Sequence, residues 1–206
     1  MEHYRERIKL EAARRSIPAL FHFTQMRNLE SIVEHGLVPR QALDDARHPY
    51  RPSDRFRIDG KPDTISLSIS HVNYSMFEAK RLEDPSSEWV VLLLDPAILW
   101  EKHCRFCYRN AALKEMTSAR GAQAGPKTFN WLFIAEDGTD CGWTPARNDA
   151  EVLIYGNIEP HYIGAAWIDE MSLARYVQGQ LDRISDEDLS TFVRPFLCPG
   201  IWDQSG

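Results

Sequence analysis

The run WVVLLLD, from Trp89 to Asp95, constrains the fold of this chain more than any other stretch. An unbroken apolar segment of strand length offers no polar face to water. It suits a strand covered on both sides in a layered domain. Asp95-Pro96 ends it, since proline brings no N–H to a ladder. The chain has 206 residues, 43% apolar and 11% aromatic, enough for the core of one domain.

Around this strand the pattern reads as α+β. Residues 2–15 form a polar helix with Arg7–Glu11 and Glu11–Arg15 spacings. In ALFHFT, Phe21 and Phe23 share one strand face, and His22 and Thr24 share the other. Thr24 is placed to cap a helix carrying Leu29, Ile32 and Val33, which Gly36 closes. Residues 39–63, with four prolines, read as a long loop. In TISLSISHVNYSMF, Ile65, Leu67 and Ile69 form a buried strand face; Ser66, Ser68 and Ser70 form the opposite one. A helix follows through Tyr74 and Phe77. Residues 101–128 read as irregular to helical, and FNWLFI as strand or helix. Residues 135–149 form a second long loop before the strand EVLIYG. Ser172–Ile184 and Asp186–Val193 read as helices, the second opened by a Ser185…Asp188 capping box.

The net charge of −6 argues against a general polyanion binder. Positive charge is nevertheless concentrated at Lys102, Arg105, Arg109, Lys114, Arg120 and Lys127, and again between Arg40 and Lys61. A basic face on an acidic body permits nucleic-acid contact. The N-terminus is charged and lacks a signal-like apolar segment, and no run is long enough to cross a membrane, so the expectation is a soluble cytosolic protein. Cys104 and Cys107 form a CxxC. Cys141 and Cys198 add no second close pair, so reduced thiols are expected rather than zinc. Neither a dinucleotide-binding GxGxxG nor a phosphate-binding GxxxxGK[ST] follows any strand.

Polar residues fall where a one-sided sheet does not need them: His22 between phenylalanines, the serine face of 66–70, and Glu151 at the start of a strand. Singly, each has a structural explanation. Together, under two long loops, they outline a cleft whose small hydroxyls let a ligand lie against the backbone. His71, Asn73 and Tyr74 would then read its polar edge.

PALFHFTQMRNLESIVEHGL, RIDG with ISLSISHVNYSMF, WVVLLLDPAILW, FCYRNAA and AEVLIYGNIEPHYI resemble, in that order, the DarT family of DNA-modifying ADP-ribosyltransferase toxins. The resemblance implies one ADP-ribosyltransferase domain over 1–206, a split β-sheet fold with flanking helices. Within it, 1–15 is an N-terminal helix, 39–57 a segment covering NAD, and 170–206 a helical extension. It implies NAD as co-substrate and no metal. ADP-ribose would pass to a base of single-stranded DNA, guanine favoured over thymine. By resemblance the catalytic residues are Glu151 and Arg57, with Arg55 the competitor to Arg57. The NAD-binding residues are His22, Thr24, Asn28, Arg57 and Tyr74. DNA contacts are expected at Arg105, Arg109 and Lys114. The implied partner is a separate DarG-type antitoxin, in the cytoplasm. Many relatives carry Gln where this chain has Asp149, which weakens a protein-modifying reading. A transferase of the same fold acting on protein or RNA, and a non-catalytic nucleic-acid-binding module, are the alternatives.

Overall fold

A computed structural model describes residues 2–45, 60–117, 122–184 and 189–196. Arg55, Arg57, most of the expected 39–57 segment and Cys198 lie outside the described residues. Seven strands form one open sheet: β1 (Leu20–Gln25), β2 (Thr64–Ile69), β3 (Trp89–Leu94), β4 (His103–Cys107), β5 (Glu151–Tyr155), β6 (Ile163–Ile168) and β7 (Ser190–Val193), in the order β4-β5-β2-β1-β3-β6-β7. The helices are α1 (Glu2–Arg15), α2 (Leu29–His35), α3 (Arg40–Asp45), α4 (Tyr74–Glu83), α5 (Ile98–Glu101), α6 (Lys114–Thr117), α7 (Pro126–Trp131) and α8 (Ala174–Leu181). No helix among the described residues is long and apolar enough to cross a membrane.

The apolar run became an interior strand. β3 lies between β1, which it pairs from Leu20↔Leu94 to Gln25↔Trp89, and β6. Its side chains enter packed layers on both faces. On one face, Leu67, Ile69, Leu92 and Ile154 pack with Ile8 and Ala12 of α1, Ile32 of α2, Phe129 of α7 and Val177 of α8. The other face carries two separate clusters. Phe21, Val91 and Trp167 meet Phe77 of α4 and Phe196. At the β4–β5 end, Cys107 and Leu153 meet Ala111, Met116 and Ala122. On this face the serine side of β2 lies between the two clusters.

The sheet is continuous in order but narrow at one seam. β1 and β2 pair only at Leu20↔Ile69 and Phe21↔Ser68, whereas β2 pairs with β5 from Thr64↔Tyr155 to Leu67↔Val152. The two halves therefore part at His22, giving the split within a single sheet rather than two sheets.

Several local expectations are corrected. Residues 190–193 are not helix but β7, parallel to β6 with Ala165↔Ser190 and Ile168↔Val193 in register. The chain after residue 170 is thus α8 followed by a strand, and the edge of β6 outweighs the weak capping signal. The first half of FNWLFI ends α7, which opens with Pro126 at its first position, and the second half lies beyond the helix. Residues 103–107, expected without strand, are β4. Thr24 caps nothing: Asn28 Nδ2 donates to its Oγ1 at 3.0 Å, and α2 begins without a side-chain cap. Gly36 does close α2, with φ +79° and its N–H on the Ile32 carbonyl at 2.8 Å.

Candidate active site

Glu151 is the first residue of β5 and is buried at 5% exposure. Cys107↔Glu151 is the last pair of the β4–β5 ladder, so the chain leaving β4 turns directly beside this carboxylate. Residues of that turn hold it. Asn110 Nδ2 donates to Oε1 and the Ala111 N–H donates to Oε2, each at 3.0 Å. Fixed donors on both oxygens set the orientation of the carboxylate. Asn110 Nδ2 also lies 3.6 Å from Met76 Sδ, bringing α4 to the same place.

Asp149 secures the turn from below. Its Oδ2 accepts from Arg109 Nε at 2.9 Å and from the Asn110 N–H at 3.3 Å. Arg109 also approaches Glu115 at 3.8 Å. The Arg109 pKa is raised by its hydrogen bond to Asp149 and by the charge of that carboxylate. Asp149 and Glu151, two residues apart, thus grip successive residues of one turn. Sequence reasoning passed over Asn110 and the Arg109–Asp149 pair. The readable signal was Tyr-Arg-Asn-Ala-Ala, whose register opposite Asp149-Ala-Glu151 appears only once β4 and β5 are paired.

The serine strip runs beside this carboxylate, on the neighbouring strand. Ser66 is paired with Leu153 and shares its face with Glu151; Ser68 is buried and Ser70 terminates the strip. Ser70 has a left-handed backbone, φ 64°, and donates its Oγ to the Trp143 carbonyl at 2.7 Å. That contact fastens the 135–149 segment over the end of β2.

His22 approaches from elsewhere. Strand alternation places it on the face opposite Glu151, but its Nδ1 lies 3.1 Å from the Ser66 carbonyl, across the seam where β1 and β2 no longer pair. His22 thus stands at the seam on one face of the sheet, while Glu151 lies on the other face, on β5, with β2 between it and the seam. Thr24, buried, and Asn28 bond to each other near that end of β1. Tyr74 opens α4 and packs edge-on to Trp167 at 6.5 Å. Of the three exit residues, Asn73 is committed to the helix: its side chain caps α4 through the Met76 N–H at 3.2 Å. His71 keeps a buried Nε2 without a hydrogen-bond partner among the described residues, and burial lowers its pKa.

Among the expected DNA contacts, Lys114 is exposed on α6. Arg105 donates to the Ala122 carbonyl at 3.3 Å and covers the Tyr155 ring at 5.8 Å. Cys104 and Cys107 stand an odd number of places apart on β4, so their thiols leave on opposite faces and share no site. Burial pushes the Cys104 thiol up to about 12, which leaves it inert as a nucleophile. No group of three or more His, Cys, Asp or Glu among the described residues could hold a metal ion.

The fold has counterparts among known proteins. The family model described as ssDNA thymidine ADP-ribosyltransferase, DarT, matches residues 21–195. A Thermosipho africanus DarTG structure in complex with ADP-ribose superposes with a TM-score of 0.57 at 12% identity, covering 86% of this chain and 50% of that one. Thermus sp. 2.9 DarT in complex with ADP-ribosylated ssDNA gives 0.55 at 13% identity, covering 87% and 95%. The same Thermus protein in complex with NAD+ gives 0.54 at 13% identity, covering 84% and 93%. The chain thus spans half the length of the Thermosipho chain and nearly all of the Thermus chain. At these identities the likeness establishes the shared fold. No match was found among curated proteins. The family model covers most of the chain, and the chain belongs to the DarT family.

Proposed function

We propose that this protein is a toxin that transfers ADP-ribose from NAD to a base of single-stranded DNA. The observation that carries the reading is the Glu151 carboxylate, buried at the start of β5 and held on both oxygens by Asn110 and Ala111. The residues present fit a dinucleotide. A strip of small hydroxyls lies between two apolar clusters, a carboxylate stands beside it on the neighbouring strand, and the His22 ring crosses the seam.

NAD, when bound, supplies a ribose–nicotinamide bond whose cleavage leaves positive charge on the sugar. Glu151 stabilises that charge as it develops, because its orientation is set before the reaction. It also accepts the proton released by the attacking base nitrogen. His22 orients the nucleotide at the seam. Arg57 acts on the pyrophosphate as a planar fork. The acceptor is a single strand because pairing hides base edges in a duplex. The ISLSIS…NYSMF block favours guanine over the thymidine named for the family. A separate DarG-type antitoxin in the same cytoplasm reverses the modification.

Mass spectrometry of short oligonucleotides of each base after incubation with NAD tests reaction, acceptor and base together. One ADP-ribose on a guanine-bearing strand is expected. Addition to thymine alone overturns the base assignment, and labelling of protein or RNA alone overturns the acceptor. Absence of nicotinamide release leaves a binding module. Glu151→Ala is expected to abolish transfer while single-strand binding persists; equal loss of both contradicts its role.

A further inference from the structure

We infer that Tyr108 and Trp131 form a stacking platform for an unpaired base of the DNA strand, one that flanks the modified base. The inference rests on the DNA-transferase reading above. Two aromatic pairs join β4 to α7. Phe106 and Phe129 meet with centroids 5.1 Å apart, and both are fully buried. Two residues further along each element, Tyr108 and Trp131 repeat the contact at 4.9 Å with a 42° tilt. Here burial ends: Trp131 is 54% exposed. The inner pair already packs α7 against the sheet, so the outer pair leaves an indole surface that the core does not require.

Position and charge indicate the occupant. Tyr108 directly follows Cys107, the partner of Glu151 in the ladder. It directly precedes Arg109 and Asn110, which hold Asp149 and Glu151. Tyr108 therefore leads directly into the turn that orients the catalytic carboxylate, so the platform, although α7 lies on the sheet face opposite Glu151, reaches the same end of the β4–β5 ladder. Lys127, exposed, lies one helical turn before Trp131 and on the same side of α7. A ring face beside a cation is the unit from which single-strand sites are built: the base stacks, and the ammonium meets the phosphate. A base paired in a duplex has no face to offer such a ring.

The test uses the full chain and a short, mixed-sequence, fluorescein-labelled oligonucleotide containing the modified base. Trp131→Ala is expected to weaken binding and raise KM for DNA about tenfold. NAD affinity by calorimetry and the melting temperature should stay as in the wild type. Trp131→Phe should retain most of the binding, and Lys127→Gln should reduce its salt dependence. Independently, abasic substitution along the oligonucleotide should find, with the wild-type protein, one position beside the modified base where removal costs about tenfold. That penalty should vanish in Trp131→Ala. If Trp131→Ala binds and modifies DNA normally, or the abasic scan finds no such position, the platform is overturned while the transferase reading stands. If the wild type neither binds nor modifies single strands, both fall.

Discussion

Replacing Arg15 should cost this protein more stability than any replacement of a surface charge. Arg15 ends α1, yet its side chain is only 1% exposed. Its five N–H bonds all have acceptors. Nε donates to Glu11 at 2.7 Å; Nη1 donates to Asp140 Oδ1 at 2.7 Å and to the Gly142 carbonyl at 2.5 Å; Nη2 donates to Asn130 Oδ1 at 2.6 Å and to Asp140 Oδ2 at 3.2 Å. The guanidinium also covers the Phe133 ring at 4.3 Å. Arg15→Ala leaves the two neutral acceptors without donors, at about 1 kcal/mol each. It also removes a desolvated cation–π contact of about 1–2 kcal/mol. Asp140, 43% exposed, regains water and adds little. The sum is about 3–4 kcal/mol, or about 6–15 °C in melting temperature for a domain of this size. Arg15→Lys keeps the charge but not the fork, and should fall between. Thermal and urea unfolding measure both variants. An Arg15→Ala protein melting within about 2 °C of wild type would refute the accounting, and with it the view that Arg15 anchors the 135–149 segment leading into Glu151.

Asp140 is held down to about 2 by its hydrogen bonds from Arg15 and then by the Gly142 N–H. Its folded pKa lies below the ordinary carboxylate value of about 3.9. The stability it contributes is therefore complete above about pH 4 and fades as pH falls towards 2. Urea titrations between these limits should show this loss, and Asp140→Asn should remove that part of the slope. Gly36→Ala should destabilise by about 2 kcal/mol or more, because the position has φ +79° and a Cβ would lie 2.1 Å from the Ile158 carbonyl oxygen; urea unfolding measures the loss. Asn110→Ala removes a side-chain donor to Glu151 and should lower kcat about tenfold or more while leaving NAD affinity nearly intact. Steady-state kinetics with calorimetry separate the two quantities, and a rise in KM alone would contradict a positioning role.

The fold was legible where burial alone decides the residue. Phe21 and Phe23 against His22 and Thr24, the β3 run, and Gly36 after α2 all declare themselves through side-chain period or backbone need. β4 was not legible, because His103-Cys-Arg-Phe-Cys mixes charge with apolar residues on an edge strand. β6 was missed for a related reason: Ile163-Gly-Ala-Ala carries little bulk and gains its burial from neighbours. β7 was mistaken for helix because Ser190–Val193 becomes a strand only when β6 offers an open edge. At the site, Glu151 and His22 stood out as polar residues in apolar surroundings. Asn110 did not, and Arg109 and Asp149, marked in the sequence for other roles, gave no sign of their pairing, since it is a contact made across forty residues of sequence.

The narrow join between β1 and β2 divides labour within the protein. One plate of the sheet, β4-β5-β2, carries Glu151 and the turn beside it; the other, β1-β3-β6-β7, carries His22. Substitutions that reshape the first plate leave the ladders of the second intact. On the function proposed above, such a sheet lets the acceptor side vary while the ladders that hold His22 stay as they are.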